Sequence, residues 1–269
     1  MRAGIQIHGP ISAGVAKNRV YAAYGTGGDG VIQILDRKKL LTAFINALKP
    51  TTEEMLAPQV GYLVMSPDQG AHTAMPMYGV PIPGFQGHSV LKTRDVLVVA
   101  SEQGRGDRCK PGPGGNRPAP HFGFLLDITN EPTPWPLATF HVPENPGDFC
   151  GRGGRFGAHA GTESFYPPYY GKLAIFSWFN AGTLDIRNPF AVEEVAYFIP
   201  APNKNTMAFC ADGISHPEGD PKITSACTKV IQTNNVEVDD RGLIYSADRA
   251  GTGLHIIRLT GRAAQVAAK

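Results

Sequence analysis

The sequence predicts an all-β chain of β-propeller architecture, and three observations carry that expectation. The apolar runs are short, rich in β-branched and aromatic residues, and bounded by turn residues. Glycine and proline number 32 and 23 in 269 residues, the frequency of turns that many short strands require. The strands also recur as a unit in a fixed order, which is the mark of an array or a propeller. Hydrophobic residues make up 42% and charged residues 18%, enough apolar material for one folded domain over 1–269.

Strand signals fall at 20–24, 31–35, 60–65, 96–100, 122–128, 173–179, 195–199, 243–247 and 254–259. Several are nearly continuous rather than alternating, so both faces of those strands are expected to be covered. One stretch, 38–48, reads as a short helix: Leu41, Phe44, Ile45 and Leu48 follow i, i+3, i+4, i+7 spacing, and Pro50 stops the run. The repeat opens on a His- or Asn-bearing segment and continues as an apolar strand. A glycine-rich turn, a strand with Ile-Asp or a close relative, and a final apolar strand complete it. One copy runs from IQIHGP through RVYAAYGTGGDGVIQILD, and another from GHSVLKTRDVLVVASE to FGFLLDITNEPTPWPLATFHVP. A third comprises RFGAHAGTES, GKLAIFSWFNAG, TLDIRNP and EEVAYFIP, and the last is NNVEVDDRGLIYSADRAGTGLHIIRLTG. Sets of four antiparallel strands placed radially are propeller blades, each packed between its neighbours with short, protected edges. A β-sandwich takes the same strands but leaves their recurring order unexplained. About four blades can be counted, with loop insertions near 103–120 and 203–229.

The units GVIQILD, FGFLLDITNEPTP, NAGTLDIRNP and GTGLHIIRLTG resemble the repeats of LVIVD-type propellers. The longer stretches FCGRGGRFGAHAGTES, FNAG and IQTNNVEVDDRGLIYSADRAGTGLHI resemble one bacterial branch of that family, and the likeness extends over most of the chain. The resemblance implies a propeller and export to the periplasm or the cell exterior, and it assigns no defined biochemical role. NAGTLDIRNP is shorter than the usual glycine-to-aspartate spacing, which predicts a truncated strand. The blade count is lower than usual for the family. The chain therefore reads as the C-terminal part of a longer propeller, as a short form, or as one that completes its ring by oligomerising.

Four cysteines are present: Cys109, Cys150, Cys210 and Cys227. No C-x-x-C occurs, which excludes a zinc ribbon and a thioredoxin-type motif. Cys210 and Cys227 bracket one polar segment, and Cys109 and Cys150 fall in two loops of one blade. Local pairing of each couple is one of three connectivities and would suit the oxidising compartment that the resemblance implies. Four free thiols in a cytoplasmic protein is the other reading.

Net charge is +2, which gives no electrostatic reason to expect a nucleic-acid partner or a membrane surface. No apolar run reaches the roughly 20 residues of a membrane-spanning helix. The opening MRAGIQIHGP lacks a signal-peptide pattern. GTGGDG at 25–30 satisfies G-x-G-x-x-G, but the strand VIQILD follows it, so a hairpin turn is expected rather than a phosphate-binding helix start. No Walker loop, G-x-S-x-G elbow or H-E-x-x-H is present.

Propeller geometry nominates a site. The first strand of each blade lines the channel and the second returns to the face where the first began. Polar groups at the start of strand one and the end of strand two therefore converge at one mouth. That rule selects His8, His88, His159, Asn234, Asn235 and Glu237 from first strands. From second-strand ends it selects Tyr24, Glu102, Asn180, Asp248 and Arg249. Three imidazoles from different blades could hold zinc, copper or iron, with Glu102 or Glu237 completing the shell. Gly70-Ala71-His72-Thr73 echoes Gly157-Ala158-His159-Ala160, so His72 is the rival to His88 for its blade; the match between His88–Val96 and Asn235–Leu243 spacings favours His88. Glu163 falls on the same side as His159 but further down the channel. The plainer reading has these histidines bonding backbone groups and channel water. His216, in a Gly/Pro-rich loop, is expected to be exposed. Trp135 and Trp178 are expected to pack in the core or at a blade edge.

The predicted function is a ligand- or partner-binding propeller whose partner is a protein, a glycan or a small molecule, with a metal site at the channel mouth. A metal-dependent enzyme, hydrolytic or oxidative, is the alternative.

Overall fold

The computed structural model describes residues 3–7, 18–25, 30–43, 49–65, 69–81, 91–102, 122–142, 147–163, 166–187 and 192–269. It is mostly β and built of several antiparallel sheets. The first sheet takes β1 (Ala3–Ile7), β2 (Arg19–Tyr24), β3 (Val31–Asp36) and β4 (Gln59–Val64) in chain order. The second takes β5 (Thr73–Pro81), β6 (Thr93–Ala100), β7 (Gly123–Asp127) and β8 (Trp135–Phe140). The third takes β9 (Ala158–Gly161), β10 (Ala174–Trp178), β11 (Gly182–Arg187) and β12 (Glu193–Phe198). A small sheet follows, with β13 (Ala208–Phe209) between β14 (Ser215–His216) and β15 (Thr228–Lys229). A three-stranded meander of β16 (Thr233–Val238), β17 (Ile244–Asp248) and β18 (Leu254–Ile257) completes the strands.

The near-continuous apolar runs have the cause the sequence suggested, because a strand's side chains alternate between its two faces. In β6, Leu97 and Val99 join Tyr21, Ala23, Ile32 and Ile34 of the first sheet, while Val96, Val98 and Ala100 join Phe176 and Trp178 of the third. Phe124 and Leu126 of β7 point to the first sheet and Leu125 to the third. In β10, Ala174, Phe176 and Trp178 pack towards the second sheet, and Ile175 packs on Val236 and Ile244 of the last. The first strand of each larger sheet after the first meets the larger sheet before it: β5 lies on β1 and β2, β9 on β5 and β6, and, past the small sheet, β16 on β9 and β10.

Other expectations fared differently. The helix α1 (Arg37–Ala43) covers the first part of the expected 38–48; Leu41 on it is exposed, and 44–48, with the rest of the apolar spacing, fall outside the described residues. Two further helices are present. In α2 (Thr52–Leu56), Thr51 caps the start and Glu54 returns the bond, a capping box written in the sequence as T-x-x-E. The alanine-rich α3 (Gly261–Ala268) buries Val266 and Ala267 against Leu173. The expected truncated strand is full-length: β11 has six residues and pairs with β10 and β12. The shorter spacing is absorbed by the 3-10 turn 179–181. Trp178 is buried as expected, whereas Trp135 on β8 is 68% exposed, because the outer strand meets solvent.

Cys210 and Cys227 form a disulfide that closes the segment carrying the small sheet. Cys150 is disulfide-bonded too, and Cys109 lies outside the described residues. The prediction for His216 is corrected: it is buried, with Nε2 2.8 Å from Asp212 and Nδ1 3.1 Å from Asp220. A carboxylate at each ring nitrogen favours the doubly protonated imidazolium. Hydrogen bonds to Asp212 first, then Asp220, raise its pKa above the usual 6.5. A raised folded-state pKa adds stability that is fully present below the unfolded value and is lost as pH climbs through the folded one. The melting temperature is therefore expected to fall as pH rises above 6.5, and His216→Gln to flatten that decline. Thermal melts at mildly acidic and mildly alkaline pH read this directly; parallel pH profiles for the two proteins would count against the imidazolium.

Candidate metal centre

Strand ends from three sheets build the site. His72 immediately precedes β5, and its backbone N–H donates to Ala100 O at the end of β6. Glu102 lies two residues beyond β6, where the Ser101 hydroxyl, donating to Gln69 Oε1, fixes the chain. A close approach holds this corner. Gly30 donates its N–H to Gln69 O, and a Cβ there would sit 2.2 Å from Ala71 N. Only glycine lets the first sheet come so near the chain leading to His72. His159 is the second residue of β9, between the rings of His72 at 4.4 Å and Phe179 at 5.1 Å.

Glu102 and His159 are buried at 3% and 4% exposure, while His72 remains half-buried. Glu102 Oε2 lies 3.6 Å from His72 Nε2 and 3.7 Å from His159 Nε2, too far for hydrogen bonds. A metal bound at about 2.0–2.1 Å by each ligand sets tetrahedral donors about 3.3 Å apart; both Glu102 separations lie a few tenths of an ångström beyond that, and the ligand atoms of the three residues all lie within 4.8 Å of one another. His159 Nδ1 faces the Asn234 carbonyl oxygen, which makes Nδ1 the protonated nitrogen and leaves the Nε2 lone pair towards Glu102. That arrangement fixes tautomer and ring plane in metal-binding histidines. Burial drives the His159 pKa down to about 4, so the ring is neutral at pH 7 and able to coordinate. Burial pushes Glu102 up, but His159, Arg155, His72 and Arg249 together outweigh it and hold the carboxyl below its ordinary value. These three side chains could hold a metal ion.

Around them lies a positive rim. Arg155 Nη1 is 3.3 Å from Glu102 Oε1, which turns Oε2 towards the imidazoles. The guanidiniums of Arg155 and Arg249 lie 4.4 and 4.7 Å from the Phe179 ring centroid. Gln232, fully buried, ties both backbones together: its Oε1 accepts from Arg155 N, and its carbonyl accepts from Arg249 N. Gly154, at φ +76°, makes room for it, since a Cβ there would lie 2.6 Å from Gln232 Nε2.

The other nominated residues divide. Asn180 is fully buried, and its Nδ2 donates to Phe149 O and Gly153 O, bracing the loop that leads to Arg155. The Asp248 carboxylate accepts from the backbone N–H groups of Gln232, Ala250 and Thr252. Asn235 is exposed beside the site. Glu237 accepts from Thr162 Oγ1 and from the backbone N–H of Glu163, further along β16, and does not join the triangle. Tyr24 stands half-buried at the end of β2. His8 and His88 lie outside the described residues, and 82–90, which includes His88, connects β5 to β6. The histidine at the head of that first strand is His72. Sequence reasoning missed Arg155, Phe179 and Gln232, although Arg155 stands only four residues before His159 and Phe179 directly before Asn180.

No protein-family profile matches the chain, and no match is found among curated proteins.

Proposed function

We propose that this chain is an exported LVIVD-type β-propeller that binds a divalent transition metal (zinc, copper or iron) at the mouth of its channel and presents it to a ligand. The observation that carries the reading is one carboxylate oxygen, Glu102 Oε2, set between the Nε2 atoms of His72 and His159, with the second imidazole anchored through Nδ1 on a backbone carbonyl. The radial reading draws support from four meander sheets that pack in chain order, the first strand of each after the first against the meander before it. Export draws support from the Cys210–Cys227 disulfide. No described helix is long and apolar enough to cross a membrane.

A second reading, a metal-dependent hydrolytic or oxidative enzyme, is favoured by the donor count. Two histidines and one glutamate are a set used by catalytic zinc, which keeps a coordination position for water or substrate. The same set with open positions serves non-haem iron oxygenases.

The test is elemental analysis of protein purified without chelator, beside a His72→Ala/His159→Ala variant. About one metal per chain in the parent and none in the variant is the expected result. Sub-stoichiometric metal in the parent, or equal occupancy in the variant, removes the metal reading. Native mass of the same preparation reads whether one chain or several complete the ring.

A further inference from the structure

We infer that the ligand of this site is an oxyanion, a carboxylate or a phosphoryl group, gripped by Arg155 and Arg249 beside the metal. The inference rests on the metal reading above and goes beyond it by naming what the metal is presented to. Its first support is charge. Among the described residues at the site, the carboxylates of Glu102 and Asp248 offset the guanidiniums of Arg155 and Arg249, and Asp248 is turned onto backbone N–H groups. A divalent ion added to that balanced set leaves two positive charges beside the buried side chains of Glu102 and His159. An anion completes it.

Geometry is the second support. Both guanidiniums are seated on one buried ring, Phe179, which also packs on His159, so they flank the ion-holding group and are not scattered over a surface. The arginines are far apart in sequence, yet Gln232 bonds the backbone of each and sets their spacing before any ligand arrives. Such preorganisation spares the ordering cost of gripping a ligand. A guanidinium is a planar fork whose parallel N–H groups match the oxygens of carboxylate and phosphate, which an ammonium does not. Access is also graded: Glu102 and His159 are buried, while His72, Arg155, Asn234 and Arg249 are half-buried and Asn235 is exposed, so a ligand approaches from the arginine side.

The experiment is calorimetric titration of the full chain with inorganic phosphate and, separately, with acetate. Parent, Arg249→Ala and Arg249→Lys are compared after loading with zinc, and zinc content is measured on each sample. Binding of at least one anion to the zinc-loaded parent is expected, weaker by about tenfold in Arg249→Ala. Arg249→Lys should recover only part, since it restores charge without the fork. Phosphate bound in preference to acetate identifies a phosphoryl ligand, and the reverse a carboxylate. Stoichiometric zinc with no anion binding, or equal anion affinity in parent and Arg249→Ala, overturns the inference and leaves the metal reading standing. Failure of the parent to take up zinc overturns both. Should Arg249→Ala not fold, Arg249→Gln gives the same comparison.

Discussion

Replacing His159 with alanine is expected to weaken zinc binding by about 100-fold, with the fold retained. Loss of a group that merely supports a metal ligand costs roughly 10- to 100-fold, and removal of a ligand belongs at or beyond the upper end of that range. Of the three candidate ligands, His159 is anchored by the Asn234 carbonyl on one nitrogen and by tilted contacts with the rings of His72 and Phe179. Competition against a chromophoric chelator measures the change, and circular dichroism of the zinc-free protein checks the fold. Unchanged affinity would reduce Glu102 and its neighbours to a buried ion pair with Arg155, the plainer reading of the same atoms. The His72→Ala variant separates the two further, because His72 faces Glu102 Oε2 whereas Arg155 pairs with Glu102 Oε1.

Trp178→Ala is expected to lower the unfolding free energy by about 3–5 kcal/mol, the usual cost of a large cavity in a core. Its ring is 1% exposed, meets Phe140 of β8 edge-on at 5.9 Å and leans on Phe156 at 6.5 Å, so one side chain joins the second and third sheets to the loop before β9. Among the described residues, no acceptor faces its indole N–H. Trp178→Phe, which gives up volume but also removes a buried donor, should therefore cost far less, about 1 kcal/mol. Chemical denaturation of the three proteins reads both numbers. Equal losses in the two variants would mean that the indole nitrogen, not the packed volume, carries the stability.

The strands were legible because burial on both faces writes itself as unbroken apolar runs, as in DVLVVA and GFLLDI. Glu102 and His159 were legible through one geometric rule, that strand starts and second-strand ends meet. The choice between His72 and His88 was not. His72 heads β5, His88 lies outside the described residues, and the pairing of β5 with β6 shifts register between Met77 and Val80. Nothing in a linear pattern discloses such a shift. His216 read as exposed because its neighbours are glycine, proline and aspartate. Those same aspartates satisfy both of its ring nitrogens inside a loop closed by a disulfide. Gln232 was invisible for a similar reason, since its partners stand far away in sequence and are backbone atoms, which carry no signature.

The second sheet works as a party wall. Neighbouring residues of β6 serve different rooms: Leu97 furnishes one, Val98 the next. Deleting a single residue inside β6 would exchange the tenants of both rooms at once, pressing valines where leucine fits and the reverse. Changes of length are thus barred from the strand and admitted at its ends, and just past one such end, between β6 and β7, the chain carries one of its two longest connections between consecutive strands of one sheet, the other joining β3 to β4.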